Sequence, residues 1–214
     1  ARQAAQQALQ AGRDARAFDH YVAAGDVDPR RKPTAEAYLK ALDIGRRRGY
    51  PPAQLAELAD KAARQDAAST SARRMAAQMW DEAGNYKEAL PHYLWLWKSE
   101  ASSGKIGRRL ATIYASLDRR DDAITVLRDV VEDDPDGVQA RINLAGLYAE
   151  TGRADRASSL YEQLIDQHPT NSGILLRYSR FLRRRGETER ADKLEGRAYE
   201  HMPGVESREM RDLQ

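Results

Sequence analysis

A shift of 34 positions lays this chain on itself. Tyr148 falls on Tyr114 and Trp80 upstream and on Leu182 downstream. Ala157 falls on Ala89, Ala123 and Ala191, and Gly152 on Gly84, Asp118 and Gly186. Pro169 falls on Pro135, Pro203 and Ala101. Four consecutive units, 70–103, 104–137, 138–171 and 172–205, stay in phase without an insertion. An internal repeat of this length builds a stacked array in which each unit buries its apolar face only against its neighbours.

Each unit reads as two helices. In 138–171, Ile142, Leu144, Leu147 and Tyr148 share a stripe of helical spacing, and Ala157, Leu160, Tyr161 and Leu164 form a second. Gly152 can adopt the left-handed conformation that ends the first helix, and Asp118 is among the few residues that tolerate it. Ala157, small and opposite Ala145, lets the two helices approach. Pro169 stops the second helix and turns the chain into the next unit.

Leu144, Ala145, Tyr148, Gly152, Ala157, Tyr161, Leu164 and Pro169 together resemble the tetratricopeptide repeat (TPR) family over residues 70–205. One departure recurs, because the early Trp of the family motif is Arg73, Gly107, Arg141 and Leu175 here. The resemblance implies an all-α, right-handed superhelical array of antiparallel helix pairs, an α-solenoid. Upstream, 1–31 reads as a partial repeat carrying Gly12, Ala17, Tyr21, Ala24 and Pro29 at the expected spacing. Residues 32–69 read as a degenerate repeat with a long turn, IGRRRGYPPAQL, in which Gly45, Gly49, Pro51 and Pro52 argue against helix. The tail 206–214 reads as a cap or a truncated next helix. Residue 1 is Ala rather than Met, so the sequence reads as an excised or processed piece of a longer protein.

Several chemistries are disfavoured. The absence of cysteine excludes disulfides, thiolate metal sites and cysteine nucleophiles. SSGKIG, Ser102 to Gly107, lacks the spacing and the preceding strand of a phosphate-binding loop. His20, His92, His168 and His201 have no partner at ligand spacing on their own helix, so they read as surface or half-buried residues and no metal site is expected. No catalytic fingerprint or cofactor motif appears, and the chain reads as non-enzymatic. No apolar run reaches the length of a membrane helix. The net charge is +2, from 35 basic and 33 acidic residues, which disfavours a general nucleic-acid binder while leaving room for local patches.

By resemblance, the first helix of each unit lines a concave groove that takes a partner segment. The residues there include Arg74, Gln78, Lys105, Arg108, Arg109, Thr112, Asn143, Arg177, Arg180 and Arg184. Cations outnumber carboxylates at the lining positions, although the whole chain is close to neutral. Guanidinium groups suit carboxylates because each donates two parallel hydrogen bonds. Some TPR domains clamp a partner's C-terminal carboxylate, and Arg108, Asn143 and Arg177 stand at matching positions. Thr112 and Gly173 depart from that clamp, where Asn and Lys would be expected. The groove therefore reads either as a solvated arginine face or as a site for an acidic or C-terminal protein segment, or for an anionic polysaccharide.

A second candidate is Trp95. Trp80, Tyr93 and Leu96 fall at core positions, whereas Trp95 reads either as core or as a contact to a partner or a second copy. Arg46, Arg47 and Arg48 form a short basic loop without aromatics to stack bases. Resemblance to arrays in bacterial envelope assemblies, including polysaccharide export and pilus biogenesis, implies a protein-interaction scaffold in such a process, with a periplasmic setting favoured over a cytoplasmic one.

Overall fold

A computed structural model describes residues 3, 6, 14–26, 34–99 and 104–202. Gly12, Pro29, Ser102, Ser103, Pro203 and the tail 206–214 lie outside the described residues. Eleven helices and no strand occur among them: α1 (Asp14–Asp26), α2 (Thr34–Arg47), α3 (Pro52–Gln65), α4 (Thr70–Glu82), α5 (Tyr86–Ser99), α6 (Gly104–Ser116), α7 (Arg120–Asp133), α8 (Val138–Glu150), α9 (Ala154–Gln167), α10 (Ser172–Arg184) and α11 (Thr188–Glu200). The first helices begin at Thr70, Gly104, Val138 and Ser172, and the second at Tyr86, Arg120, Ala154 and Thr188. Both series keep the step read from the sequence.

The chain divides into two compact units, Ala1–Arg119 and Arg120–Gln214. In the first, each helix from α1 to α6 packs on the next. In the second, α7 to α11 do the same, and α8 also meets α10. The cores are built from the stripes the periodicity marks. Tyr38, Leu42, Leu55, Met79, Leu96 and Leu110 are fully buried in the first unit, and Leu127, Leu164, Ile174 and Tyr178 in the second. Tyr161, Tyr178 and Phe181 stack at centroid separations of 5.2 to 6.1 Å. Ala157 is completely buried, as a close helix pair requires.

The turn between paired helices has one construction. Gly152 has φ 72° and Asp118 has φ 61°. The residue after each donates its N–H to the carbonyl five positions back, Arg153 to Tyr148 at 2.8 Å and Arg119 to Tyr114 at 2.8 Å. This is the Schellman closure of a helix C-terminus. A Cβ added at Gly152 meets nothing within 4 Å, so the cost of a side chain there is backbone strain alone. Gly152→Ala is expected to lower stability by about 1 kcal/mol, read as a lower urea midpoint with unchanged slope.

Four local features differ from, or refine, what the residue types alone suggest. Helix α2 continues through Ile44 and Gly45 to Arg47, so the long turn shrinks to a few residues around Gly49. Gly45 is buried in that helix against Leu55 and Phe18, where a Cβ would lie 2.5 Å from a Leu55 methyl. Close helix packing therefore outweighs glycine's poor helix propensity at this place. Pro52 opens α3 at a position where its missing N–H costs nothing. Pro91 lies inside α5, exposed, and the helix runs uninterrupted from Tyr86 to Ser99. Arg141, at the motif's Trp position, is 5% exposed rather than solvated, and its guanidinium donates to Gln167 Oε1.

Candidate functional site

The two units divide the residues read as a groove. In the first unit, α4 presents Arg74 and Gln78 to solvent, and α6 presents Lys105 and Thr112. Arg108 is half-buried, and the Thr112 hydroxyl donates back to its carbonyl at 3.0 Å. Arg109 is half-exposed but committed to a partner within the chain. Its guanidinium forks onto both carboxylate oxygens of Asp81, and Asp81 also accepts from the Tyr93 hydroxyl at 3.1 Å. Burial, with Asp81 alongside, pushes the Tyr93 hydroxyl up to about 12.

In the second unit, α10 carries Arg177, Arg180 and Arg184 at spacings of three and four, so all three share one face. All are exposed, and among the described residues none has an ion pair within the chain. Arg183, next to Arg184, pairs with Asp192 at 2.8 Å and Glu195 at 2.7 Å instead. Burial raises the Tyr161 hydroxyl above the ordinary phenol range, while Arg177 and Arg184 act in the opposite sense. Asn143 on α8 is half-buried, and its Oδ1 accepts from Gln139 at 2.9 Å. Like charges a turn apart repel by a few tenths of a kcal/mol in water. Among the described residues, no carboxylate pairs with the stripe on α10 to relieve that repulsion.

Trp95 is half-buried, and the Arg73 guanidinium sits 5.5 Å from its ring centroid. This is cation–π geometry. Arg73 Nε is buried without a hydrogen-bond partner. Arg46 and Arg47 belong to the last turn of α2; Arg47 pairs with Asp43 at 2.9 Å, and Arg46 reaches the Met75 sulfur.

Sequence reasoning missed two polar nodes of the first unit. One is the Asp81, Arg109 and Tyr93 cluster. The other joins three helices: Asp60 of α3 stands 2.7 Å from Nε2 of His92 on α5, and Trp80 Nε1 of α4 donates to Asp60 at 3.0 Å. His92 is 7% exposed. Searching for partners on the same helix could not find either node, because both close across helices. Among the described residues there is no metal-holding group of three carboxylate or imidazole side chains, and no helix long and apolar enough to cross a membrane.

The architecture is an all-α helical-repeat solenoid, built from antiparallel helix pairs at a constant step. Residues 108–172 and 147–201 match the profile of the tetratricopeptide repeat family, and this part of the chain is built of tetratricopeptide repeats. No curated protein matches it by sequence. Among solved structures it is similar to YrrB, titled a TPR protein with an unusual peptide-binding site, at 18% identity and TM-score 0.64 over 92% of this chain and 98% of that one. It is also similar to MamA, at 18% identity and TM-score 0.69 over 80% and 93% of the two chains. A third is a tetratricopeptide repeat protein from Parabacteroides merdae, at 16% identity and TM-score 0.57 over 98% and 94%. At these identities the likeness concerns the fold. The fold is that of a protein–protein interaction scaffold.

Proposed function

We propose that this chain is a non-enzymatic scaffold that docks an acidic segment of a partner protein on the arginine face of α10. The supporting observation is the contrast within one helix. Arg183 is neutralised by Asp192 and Glu195, whereas Arg177, Arg180 and Arg184 are exposed and, among the described residues, pair with no carboxylate. Exposed guanidinium groups on a rigid helix pair bind carboxylates with little ordering cost. The peptide-binding site named for YrrB agrees with a polypeptide ligand. In the first unit, Arg74, Gln78, Lys105, Arg108 and Thr112 present polar and basic groups to the same class of ligand. The proposed setting is a bacterial envelope assembly of the polysaccharide-export or pilus kind.

The test uses a fluorescein-labelled decapeptide rich in Glu and Asp with a free C-terminal carboxylate. Its binding is measured by anisotropy beside an isosteric Gln and Asn peptide. The acidic peptide is expected to bind more tightly, to weaken as salt rises, and to lose at least about tenfold on combined Arg177→Glu, Arg180→Glu and Arg184→Glu substitution. Equal binding by wild type and variant overturns the proposal. Retention of an anionic polysaccharide in place of the peptide assigns the face to that polymer. Concentration-dependent mass that is lost on Trp95→Ala favours self-association through Trp95.

A further inference from the structure

A groove runs between the second helices α7 and α9 of the second unit, on residues that the α10 face does not use. Two adjoining clefts, of about 730 and 610 Å³, share Arg128, Asp155 and Arg156 as lining and so form one channel. At one end the Asp121 carboxylate and the Arg153 guanidinium pair at 2.5 Å. Towards the other end the channel acquires an apolar lining of Val131, Leu144, Tyr148 and Leu160. Leu144 and Tyr148 are nearly buried, while Val131 and Leu160 are half-exposed.

The next repeat supplies an internal control. The equivalent cleft between α9 and α11 has a volume of about 270 Å³. A step of 34 takes Arg128 to Glu162 and Arg156 to Arg190. In that later cleft the two walls are tied together. Arg190 pairs with Glu162 at 3.2 Å, and the Tyr178 hydroxyl donates to the same carboxylate at 2.9 Å. The apolar positions are retained, with Ile165 and Leu194 in the places of Val131 and Leu160. What changes is charge. Between α7 and α9, two arginines take the places of a carboxylate and an arginine, and Leu144 replaces the tyrosine whose hydroxyl completes the tie.

Among the described residues, neither Arg128 nor Arg156 has an ion pair within the chain. Arg156 lies over the Tyr148 ring, 5.8 Å from its centroid. Two cations lining one channel beside an apolar floor lack the anion that the neighbouring repeat carries in its own sequence. We infer that the α7–α9 groove is a second docking site, taking a polypeptide segment in which an acidic side chain adjoins an aliphatic or aromatic one. The carboxylate bridges Arg128 and Arg156, as Glu162 meets Arg190 in the next repeat. The apolar side chain covers Val131, Leu144 and Leu160. Glu132 and Asp155 also line the channel, which disfavours a uniform polyanion such as nucleic acid or a sulfated polysaccharide.

The decisive variant is Arg128→Glu. It supplies the groove with the Glu–Arg arrangement of the α9–α11 cleft, so the protein is expected to remain folded with an unchanged or higher Tm. Random phage-displayed peptides are selected on the wild-type chain, on Arg128→Glu, on Leu160→Lys, and on the combined Arg177→Glu, Arg180→Glu and Arg184→Glu chain. Wild type is expected to enrich peptides with Asp or Glu beside Leu, Ile or Phe. Synthetic copies should bind at least about tenfold more weakly to Arg128→Glu and to Leu160→Lys, and unchanged to the α10 variant. Equal binding by wild type and Arg128→Glu, or no enrichment of that class on wild type, overturns the inference. Retention of heparin by wild type with loss on Arg128→Glu also overturns it, in favour of a polyanion. Loss only on the α10 variant assigns the selected peptides to that face and overturns the second site.

Discussion

Asp60→Ala is expected to lower the stability of the first unit by about 3 kcal/mol. The carboxylate stands between Trp80 Nε1 and His92 Nε2, and Trp80 and His92 are 8% and 7% exposed. Its removal leaves two buried nitrogens facing an apolar side chain, and each unmade hydrogen bond of that kind costs about 1–3 kcal/mol. Asp60→Asn keeps an oxygen for one of the two and should lose about half as much. The pH dependence has a definite sign. Burial raises the Asp60 carboxyl pKa, but the hydrogen bonds from His92 and Trp80, with the charges of His92 and Arg64, carry it below the ordinary value. A carboxyl group depressed in the folded state contributes stability that is complete above its unfolded pKa of about 4. That contribution is lost as pH falls through the folded value. The stability gap between wild type and Asp60→Ala is therefore expected to hold from pH 5 down to about 4 and to narrow at lower pH. Urea unfolding followed by tryptophan fluorescence measures it; a gap constant down to pH 2.5 would contradict the assignment.

The repeat was legible because two periods coincide in the sequence. The long step places Tyr148, Gly152 and Ala157 in each unit, and helical spacing then orients the stripes. Asp118 could be read as a left-handed residue only because Gly152 stood one step away. The polar nodes obey neither period. Asp60 and His92 lie on different helices, and nothing local distinguishes His92 from an exposed histidine. Arg141 stands where the family motif has Trp, and from sequence it signals weakened packing. In the structure Gln167, from the following helix, accepts from its guanidinium, so a polar contact joins the helix pair there. The extent of α2 was hidden for a related reason. Gly45 suggests a break until Leu55 and Phe18 are seen to occupy the space a side chain would need. The α7–α9 groove was available in principle by comparing Arg128 and Arg156 with Glu162 and Arg190. That comparison acquires meaning only when the structure places each pair along one cleft.

Asp81→Ala is expected to cost about 2 kcal/mol, and the result would separate structural arginines from those available to a partner. The Asp81 side chain is 10% exposed and accepts from both Arg109 and Tyr93. Without it the Tyr93 hydroxyl loses its acceptor, whereas Arg109, with a side chain 41% exposed, regains much of its hydration. That rehydration keeps the loss below the figure for a fully buried ion pair. The Tyr93 hydroxyl titrates at about 12 in the fold, against about 10 for a free tyrosine. The folded state therefore holds this proton more tightly than the unfolded chain, and stability falls as pH rises through 10 to 12. Tyr93→Phe should make the alkaline limb of the stability curve shallower, measured by urea unfolding between pH 8 and 12. Arg109→Ala should destabilise the first unit by about the same amount as Asp81→Ala. It should leave acidic-peptide binding to the α10 face unchanged once the variant is measured under folded conditions. Reversal of Arg177, Arg180 and Arg184 should do the opposite, weakening the peptide while leaving the stability of the first unit unchanged. If Arg109→Ala weakens the peptide as much as the α10 reversal without loss of stability, Arg109 belongs to the docking surface and the Asp81 fork yields to the ligand.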